Sequence, residues 1–161
     1  MSSAHIHLIL NHIPVMGIAF AAAIMAFAML RPSSELKKLS LVFFVFIALA
    51  AIPTYLTGEP AEKSLTGYNV PTAVIERHEE AAGAALAGVE ILGVIALAGL
   101  VLFRRTTPPQ WFFAGCLAIA LAIGGIMAWT ANLGGQIRHP EISTAQGSGT
   151  HAPSLPSPET D

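Results

Sequence analysis

Apolar residues dominate four stretches of the chain, and short polar breaks separate these stretches. They cover about residues 6–30, 39–57, 81–103 and 111–133, and the third is predicted to continue as a helix back to about residue 73 (helix 73–103). A helix rises 1.5 Å per residue, so a hydrocarbon core about 30 Å thick requires about 20 apolar residues. Each stretch is therefore long enough to cross a membrane. The pattern predicts an all-α fold, a four-helix transmembrane bundle.

The four stretches form one predicted domain, residues 1–142. From Ser143 onward the chain is rich in Ser, Thr, Pro and Gly, so residues 143–161 are predicted to be a disordered tail. Composition agrees with a membrane protein, because only 11% of the residues are charged whereas an average soluble domain carries about 25%. A chain so poor in basic residues is not expected to bind nucleic acid.

Positively charged residues concentrate in two of the polar breaks, those that follow the first and third stretches. These residues are Arg31, Lys37, Lys38, Arg104 and Arg105. Lys and Arg are retained in cytoplasmic loops, so both breaks are predicted to face the cytoplasm and both termini the opposite side. In a bacterium this arrangement places the chain in the inner membrane with periplasmic N and C termini.

Five of the six histidines fall on the predicted periplasmic side. His5, His7 and His12 open the first stretch, His78 opens the third and His139 follows the fourth. A helical wheel places His12 and His78 each on a stripe with small residues below it. Such stripes leave room for a flat cofactor such as haem, which facing helices hold through two histidines. They are also common helix-packing faces, and interfacial histidines are often solvated.

Glu90 is the one ionisable residue that the pattern places well inside the hydrocarbon. Polar residues at this depth usually face a partner or a cavity. One interpretation is a way-station for protons or cations. The other is a neutral carboxyl group that is hydrogen-bonded to a neighbouring helix, with Thr54, Thr130 and Asn132 at a suitable depth to be partners.

Two glycines, Gly134 and Gly135, close the fourth stretch. Glycine permits a positive φ and hence a chain reversal. We expect such a reversal to fold residues 136–141 back over the mouth of the bundle. A plain helix C-cap would explain the two glycines equally well.

Four short motifs resemble those of a family of small four-helix bacterial inner-membrane proteins of uncharacterised function. In chain order they are LNHIPV at residues 10–15, TGEPAE at 57–62, RHEEA at 77–81 and GGQIRHPEI at 134–142. The resemblance covers about residues 4–142. It implies haem b, or service in a redox chain, through the histidines of the first and third helices, which correspond here to His12 and His78.

The leading hypothesis is an electron-transfer membrane subunit that binds one b-type haem near the periplasmic face. His12 and His78 would be the axial ligands, with His5 as the substitute for His12. Arg138 would neutralise a haem propionate, and Glu59 or Gln136 would orient a ligand imidazole. The bundle is small and offers no evident catalytic domain. We therefore expect the protein to be one subunit of a larger membrane redox complex. It would exchange electrons with quinol or with a periplasmic cytochrome.

The alternative hypothesis is a cofactor-free assembly or scaffold subunit, or a metal-binding membrane protein. Nitrogen and carboxylate ligands suit zinc, iron, copper(II) or nickel. The candidate ligands are the histidines of the periplasmic side with nearby glutamates, namely His5, His7, His12, His78 and His139. Elemental analysis of the purified protein would separate metal binding from scaffolding.

Overall fold

The structure, a computed structural model, describes residues 2–63 and 71–138. Within these ranges every regular element is an α-helix. The helices are α1 (Ser3–Leu10), α2 (His12–Leu30), α3 (Ser34–Leu56), α4 (Gly58–Lys63), α5 (Thr72–Leu102) and α6 (Gln110–Arg138). Single residues separate α1 from α2 and α3 from α4, so the chain forms four long rods. The predicted all-α four-helix bundle is confirmed, and the predicted tail, residues 143–161, lies outside the described residues.

All four rods are long and apolar enough to cross a membrane. Between 28% and 39% of the most apolar window of each rod is buried inside the bundle, so most of this apolar surface faces outward. Met16 and Val94, for example, are each 66% exposed. A continuous apolar surface of this kind requires hydrocarbon around it. The chain is therefore a multi-pass membrane protein.

Two exposed tryptophans lie near the opposite ends of α6. Trp111 and Trp129 are 18 residues apart, which corresponds to about 27 Å along a helix. That distance is close to the hydrocarbon thickness of about 30 Å. Because tryptophan is enriched at both membrane interfaces, this pair marks the part of α6 that lies within the hydrocarbon.

The bundle has two chemically different ends. We call one the basic end, because it carries Arg31, Arg104 and Arg105, all of them exposed. The other is the histidine end, which consists of α1, the junction of α3 with α4, the start of α5 and the last turns of α6. Consecutive rods run in opposite directions between these two ends.

Glycine lets α3 and α5 approach closely. A Cβ atom added to Gly93 in α5 would lie only 2.5 Å from the Cβ atom of Ala48 in α3. Gly93 is buried together with Ala85 and Val89, which belong to the small-residue stripe below His78. Small residues at helix interfaces allow close packing in membranes. This stripe is therefore a packing face and provides no open space.

At the basic end, α3 begins five residues earlier than the predicted position 39. The side chain of Ser33 caps the helix, because its Oγ accepts a hydrogen bond of 3.3 Å from the Leu36 N–H. The extension carries Lys37 into the bundle, where its Nζ donates to Gln110 Oε1 at 2.7 Å. The ammonium also lies 5.3 Å from the centre of the Phe113 ring, a cation–π contact that joins α3 to α6.

The fourth rod ends differently from the expectation. Helix α6 continues through Gly134 and Gly135 to Arg138, so the expected chain reversal at these glycines was wrong. Continuing the helix keeps the backbone N–H and C=O groups hydrogen-bonded near the membrane, where unsatisfied groups are costly. Because Gly134 has no side chain, the ring of His78 can lie against its backbone.

The close approach at Gly93 makes a testable prediction for stability. Gly93→Ala should lower the free energy of unfolding by about 1–3 kcal/mol, because the new methyl group would overlap Ala48 and force the helices apart. The measurement is unfolding in mixed detergent micelles. Gly115→Ala is the control, since a Cβ atom there meets nothing within 4 Å. Equal losses in the two variants would contradict the packing described.

Candidate functional site at the histidine end

A proline creates the first unusual hydrogen bond at the histidine end. Pro14 has no N–H, so the carbonyl of Leu10 lacks its normal helical donor. The hydroxyl of Thr54 in α3 lies 3.3 Å from the Leu10 oxygen and 2.9 Å from the Ala50 oxygen. Thr54 can therefore donate to either carbonyl. This contact joins α3 to the junction of α1 and α2.

His7 binds to the same part of α3. Its Nδ1 lies 3.1 Å from the Thr54 carbonyl oxygen and 3.1 Å from the Thr57 hydroxyl. The Thr57 hydroxyl itself donates to the Thr54 carbonyl at 2.8 Å, so the imidazole N–H completes this group. A carbonyl can only accept, so Nδ1 carries the proton of the neutral ring. The Nε2 atom then has a free lone pair, and no described residue bonds to it.

His78 is held in a similar way between α5 and α6. Its Nδ1 donates to the carbonyl of Thr130 at 3.0 Å, which again leaves the lone pair on Nε2. The ring lies against the backbone of Gly134, where an added Cβ atom would be 3.2 Å from His78 Cε1. Gly134 thus provides the room that the imidazole occupies.

The structure places His7 and His78 at the same end of the bundle. Both are half-buried, and the two rings are close enough to interact electrostatically. Histidines that ligate metals commonly donate their other ring N–H to a backbone carbonyl, which fixes the ring and makes the ligating nitrogen more basic. His7 and His78 both have this arrangement. We call them the imidazole pair.

His12, the expected partner of His78, lies outside the imidazole pair. It is exposed, and its Nδ1 donates to the carbonyl of Leu8 in its own segment at 2.6 Å. Open space does exist below it, as a groove of about 550 Å³ between α2 and α6 whose wall includes Met16, Ala19 and Ala23. No described histidine lines that groove. His5 is exposed as well.

The residues expected to orient a ligand imidazole form other bonds. Glu59 pairs with Lys63 at 2.6 Å on an exposed surface. Gln136 donates to Asn132 Oδ1 at 2.7 Å, within α6. Backbone carbonyls and one threonine hydroxyl orient the two rings instead. The side chain of Arg138 and the whole of His139 lie outside the described residues.

Glu90 lies in α5, about 18 Å from His78 along the helix. Its Oε1 atom is buried and has no hydrogen-bond partner among the described residues. The expected partners bond elsewhere: Thr54 to Leu10 and Ala50, Thr130 to Ile126, and Asn132 to Gln136. A carboxyl group without a partner at this depth is a candidate for proton movement.

Fold and site together define a class of protein, a multi-pass four-helix membrane bundle with two oriented imidazoles at one end. Comparison of the chain with family models, with curated proteins and with solved structures finds no match. The function of the bundle must therefore be inferred from the chemistry of the imidazole pair and of its surroundings.

The Thr54 contact can be tested through stability. Thr54→Val keeps the shape of the side chain but leaves the Leu10 carbonyl without a donor, so the free energy of unfolding should fall by about 1–2 kcal/mol. Thr130→Val is the matched control, because that hydroxyl bonds only to Ile126 within its own helix. The control should lose clearly less stability in the same micelle assay. The role of Thr54 would be refuted by a larger loss in the control.

The contact between His78 and Gly134 can be tested separately. Gly134→Ala should displace the His78 ring and weaken its bond to Thr130, because the methyl group would lie 3.2 Å from Cε1. The ¹⁵N chemical shifts of the labelled imidazole report both the tautomer and the hydrogen bond. Gly135→Ala, where an added Cβ atom meets nothing within 4 Å, should leave these shifts unchanged. Identical spectra for the two variants would argue against the contact.

Proposed function

We propose that the chain is a membrane electron-transfer subunit that holds one b-type haem at the histidine end, with His7 and His78 as axial ligands. One observation carries this proposal. Two imidazoles from different helices, close enough to interact electrostatically, are each fixed through Nδ1, and no described residue bonds to either Nε2 atom. A neutral imidazole with a free ring nitrogen is the form of histidine that ligates iron.

The number of available ligands favours haem over a bare metal ion. Zinc takes four ligands in structural sites and three protein ligands in catalytic sites. Among the described residues, no group of three or more His, Cys, Asp or Glu side chains could hold a metal ion. Haem iron needs only two ligands from the protein, because the porphyrin supplies four nitrogens. The two histidines of the imidazole pair are therefore enough for haem, whereas zinc would require further ligands that the described residues do not supply.

The chain's own residues would set the properties of the iron ligands. Thr54 and Thr57 fix the ring of His7, and Thr130 fixes the ring of His78. Their hydrogen bonds to the Nδ1–H groups make both Nε2 atoms better ligands. A bound haem would supply one-electron transfer at this end of the bundle.

The charge distribution supports a location and a set of partners. Basic residues at one end favour a bacterial inner membrane protein whose basic end faces the cytoplasm. The imidazole pair would then lie on the periplasmic side, within reach of quinol in the bilayer or of a periplasmic cytochrome. A single small bundle is best suited to act as one subunit of a larger redox complex.

A cofactor-free scaffold subunit is the second candidate function. The hydrogen bonds of the imidazole pair tie α1 to α3 and α5 to α6, and such interhelical bonds stabilise membrane bundles. In a scaffold subunit, the only role of these hydrogen bonds would be to stabilise the bundle. Replacing His7 or His78 would then lower stability without changing any absorption band.

Absorption spectroscopy separates the two functions. Protein purified from haem-replete cells should show a Soret band and, after reduction, the α-band of a b-type cytochrome. His7→Ala and His78→Ala should each abolish most of the reduced α-band, because each removes an axial ligand. His12→Ala is the matched control and should retain it. A colourless protein, or bands that depend on His12 but not on His7, would exclude the proposed ligation.

A further inference from the structure

A second groove runs between α5 and α6 on the outside of the bundle, next to the histidine end. Its volume is about 740 Å³. Small residues form much of its surface, with Ala81 and Ala84 from α5 and Ala122 and Gly125 from α6. An added Cβ atom at Gly125 would meet nothing within 4 Å, so this surface is open to the lipid.

The groove is about as long as the upper part of a lipid acyl chain and lies at the same level of the membrane. Seven residues separate Ala122 from Trp129 in α6, which is about 10 Å along the helix. Trp129 lines the groove and is exposed, as expected of a tryptophan at the membrane interface. From that level the groove extends into the half of the hydrocarbon that lies nearer the histidine end.

Two opposite charges lie where a lipid headgroup would be. Arg77 and Glu80 line the groove, are exposed, and lie one helical turn apart on α5. Among the described residues, neither has a hydrogen-bond or ion-pair partner. A guanidinium and a carboxylate side by side complement a headgroup that carries both a phosphate and a primary ammonium.

We propose that this groove binds a zwitterionic aminophospholipid of the phosphatidylethanolamine class. One acyl chain lies over Ala84, Ala122 and Gly125, the phosphate contacts Arg77, and the ammonium contacts Glu80. Phosphatidylcholine fits less well because its quaternary ammonium has no N–H to donate. Phosphatidylglycerol fits less well because it has no cation for Glu80. The site does not involve the imidazole pair and is independent of haem binding.

Native mass spectrometry of the full chain in detergent tests the proposal. The protein is titrated with phosphatidylethanolamine, phosphatidylcholine and phosphatidylglycerol of identical acyl chains. Phosphatidylethanolamine should bind roughly tenfold more tightly than either of the others, the effect of one charge-assisted hydrogen bond. Equal affinities for the three lipids would overturn the proposal.

Variants assign the binding to the groove. Glu80→Gln should abolish the preference for phosphatidylethanolamine over phosphatidylcholine, and Arg77→Gln should weaken binding of all three lipids. Ala122→Leu combined with Gly125→Leu should fill the groove and reduce phosphatidylethanolamine binding roughly tenfold. Ala118→Leu, at an exposed position of α6 outside the groove, is the matched control and should bind normally.

Two further outcomes would overturn the proposal. In one, the control and the filled groove lose lipid binding to the same extent. In the other, the mass spectrum shows a dimer that is lost in the variant with the filled groove. A second copy of the chain, rather than a lipid, would then occupy the groove. The Glu80→Gln result keeps the test decisive if the filled groove destabilises the bundle, because Glu80 is exposed and has no partner among the described residues.

Discussion

The histidine end depends on one constraint, the need of backbone carbonyls near a membrane for hydrogen-bond donors. Pro14 removes the donor that the Leu10 carbonyl would have in an uninterrupted helix. Thr54 in α3 offers a replacement, because its hydroxyl lies 3.3 Å from the Leu10 oxygen. The carbonyl of Thr54, in the last turn of the same helix, in turn accepts from the ring of His7. A proline in one rod is thus connected through a single residue, Thr54, by its hydroxyl and its carbonyl, to the position of an imidazole.

The same chemistry operates between α5 and α6, where His78 donates to a carbonyl inside a continuous helix and Gly134 gives the ring its space. Both histidines are consequently oriented by hydrogen bonds from Nδ1, and neither is hydrogen-bonded to an acidic side chain of the described residues. Buried polar side chains of the described bundle have hydrogen-bond partners, with one exception. One carboxyl oxygen of Glu90 is buried and has no donor among the described residues. The imidazole pair and Glu90 are the polar features that the packing of the rods alone does not explain.

Most of the fold could be predicted from the sequence, because hydrocarbon imposes a simple pattern of long apolar stretches. The place of His78 near the start of α5, at the same end of the bundle as His7, was also predictable. The position of His7 against α3 was not predicted, because the small residues below His12 favoured that histidine as the partner of His78. His7 instead shares a helical face with Pro14, Ile18 and Met25, whose buried side chains form the core face of α2. That heptad pattern could have predicted that His7 faces the bundle. The bond from His7 to the Thr54 carbonyl has no sequence signature, because it depends on the packing of α1 against α3.

The bond between His78 and Thr130 also has a consequence for biosynthesis. Thr130 lies 52 residues after His78 in the chain, so during translation His78 is made before its acceptor. The ring cannot take its final orientation until α6 has inserted and packed against α5. A cofactor held by this ring would find its ligand ready only in a completed bundle. If this ring holds haem, as proposed, the order of residues along the chain would delay haem binding until α6 has packed against α5.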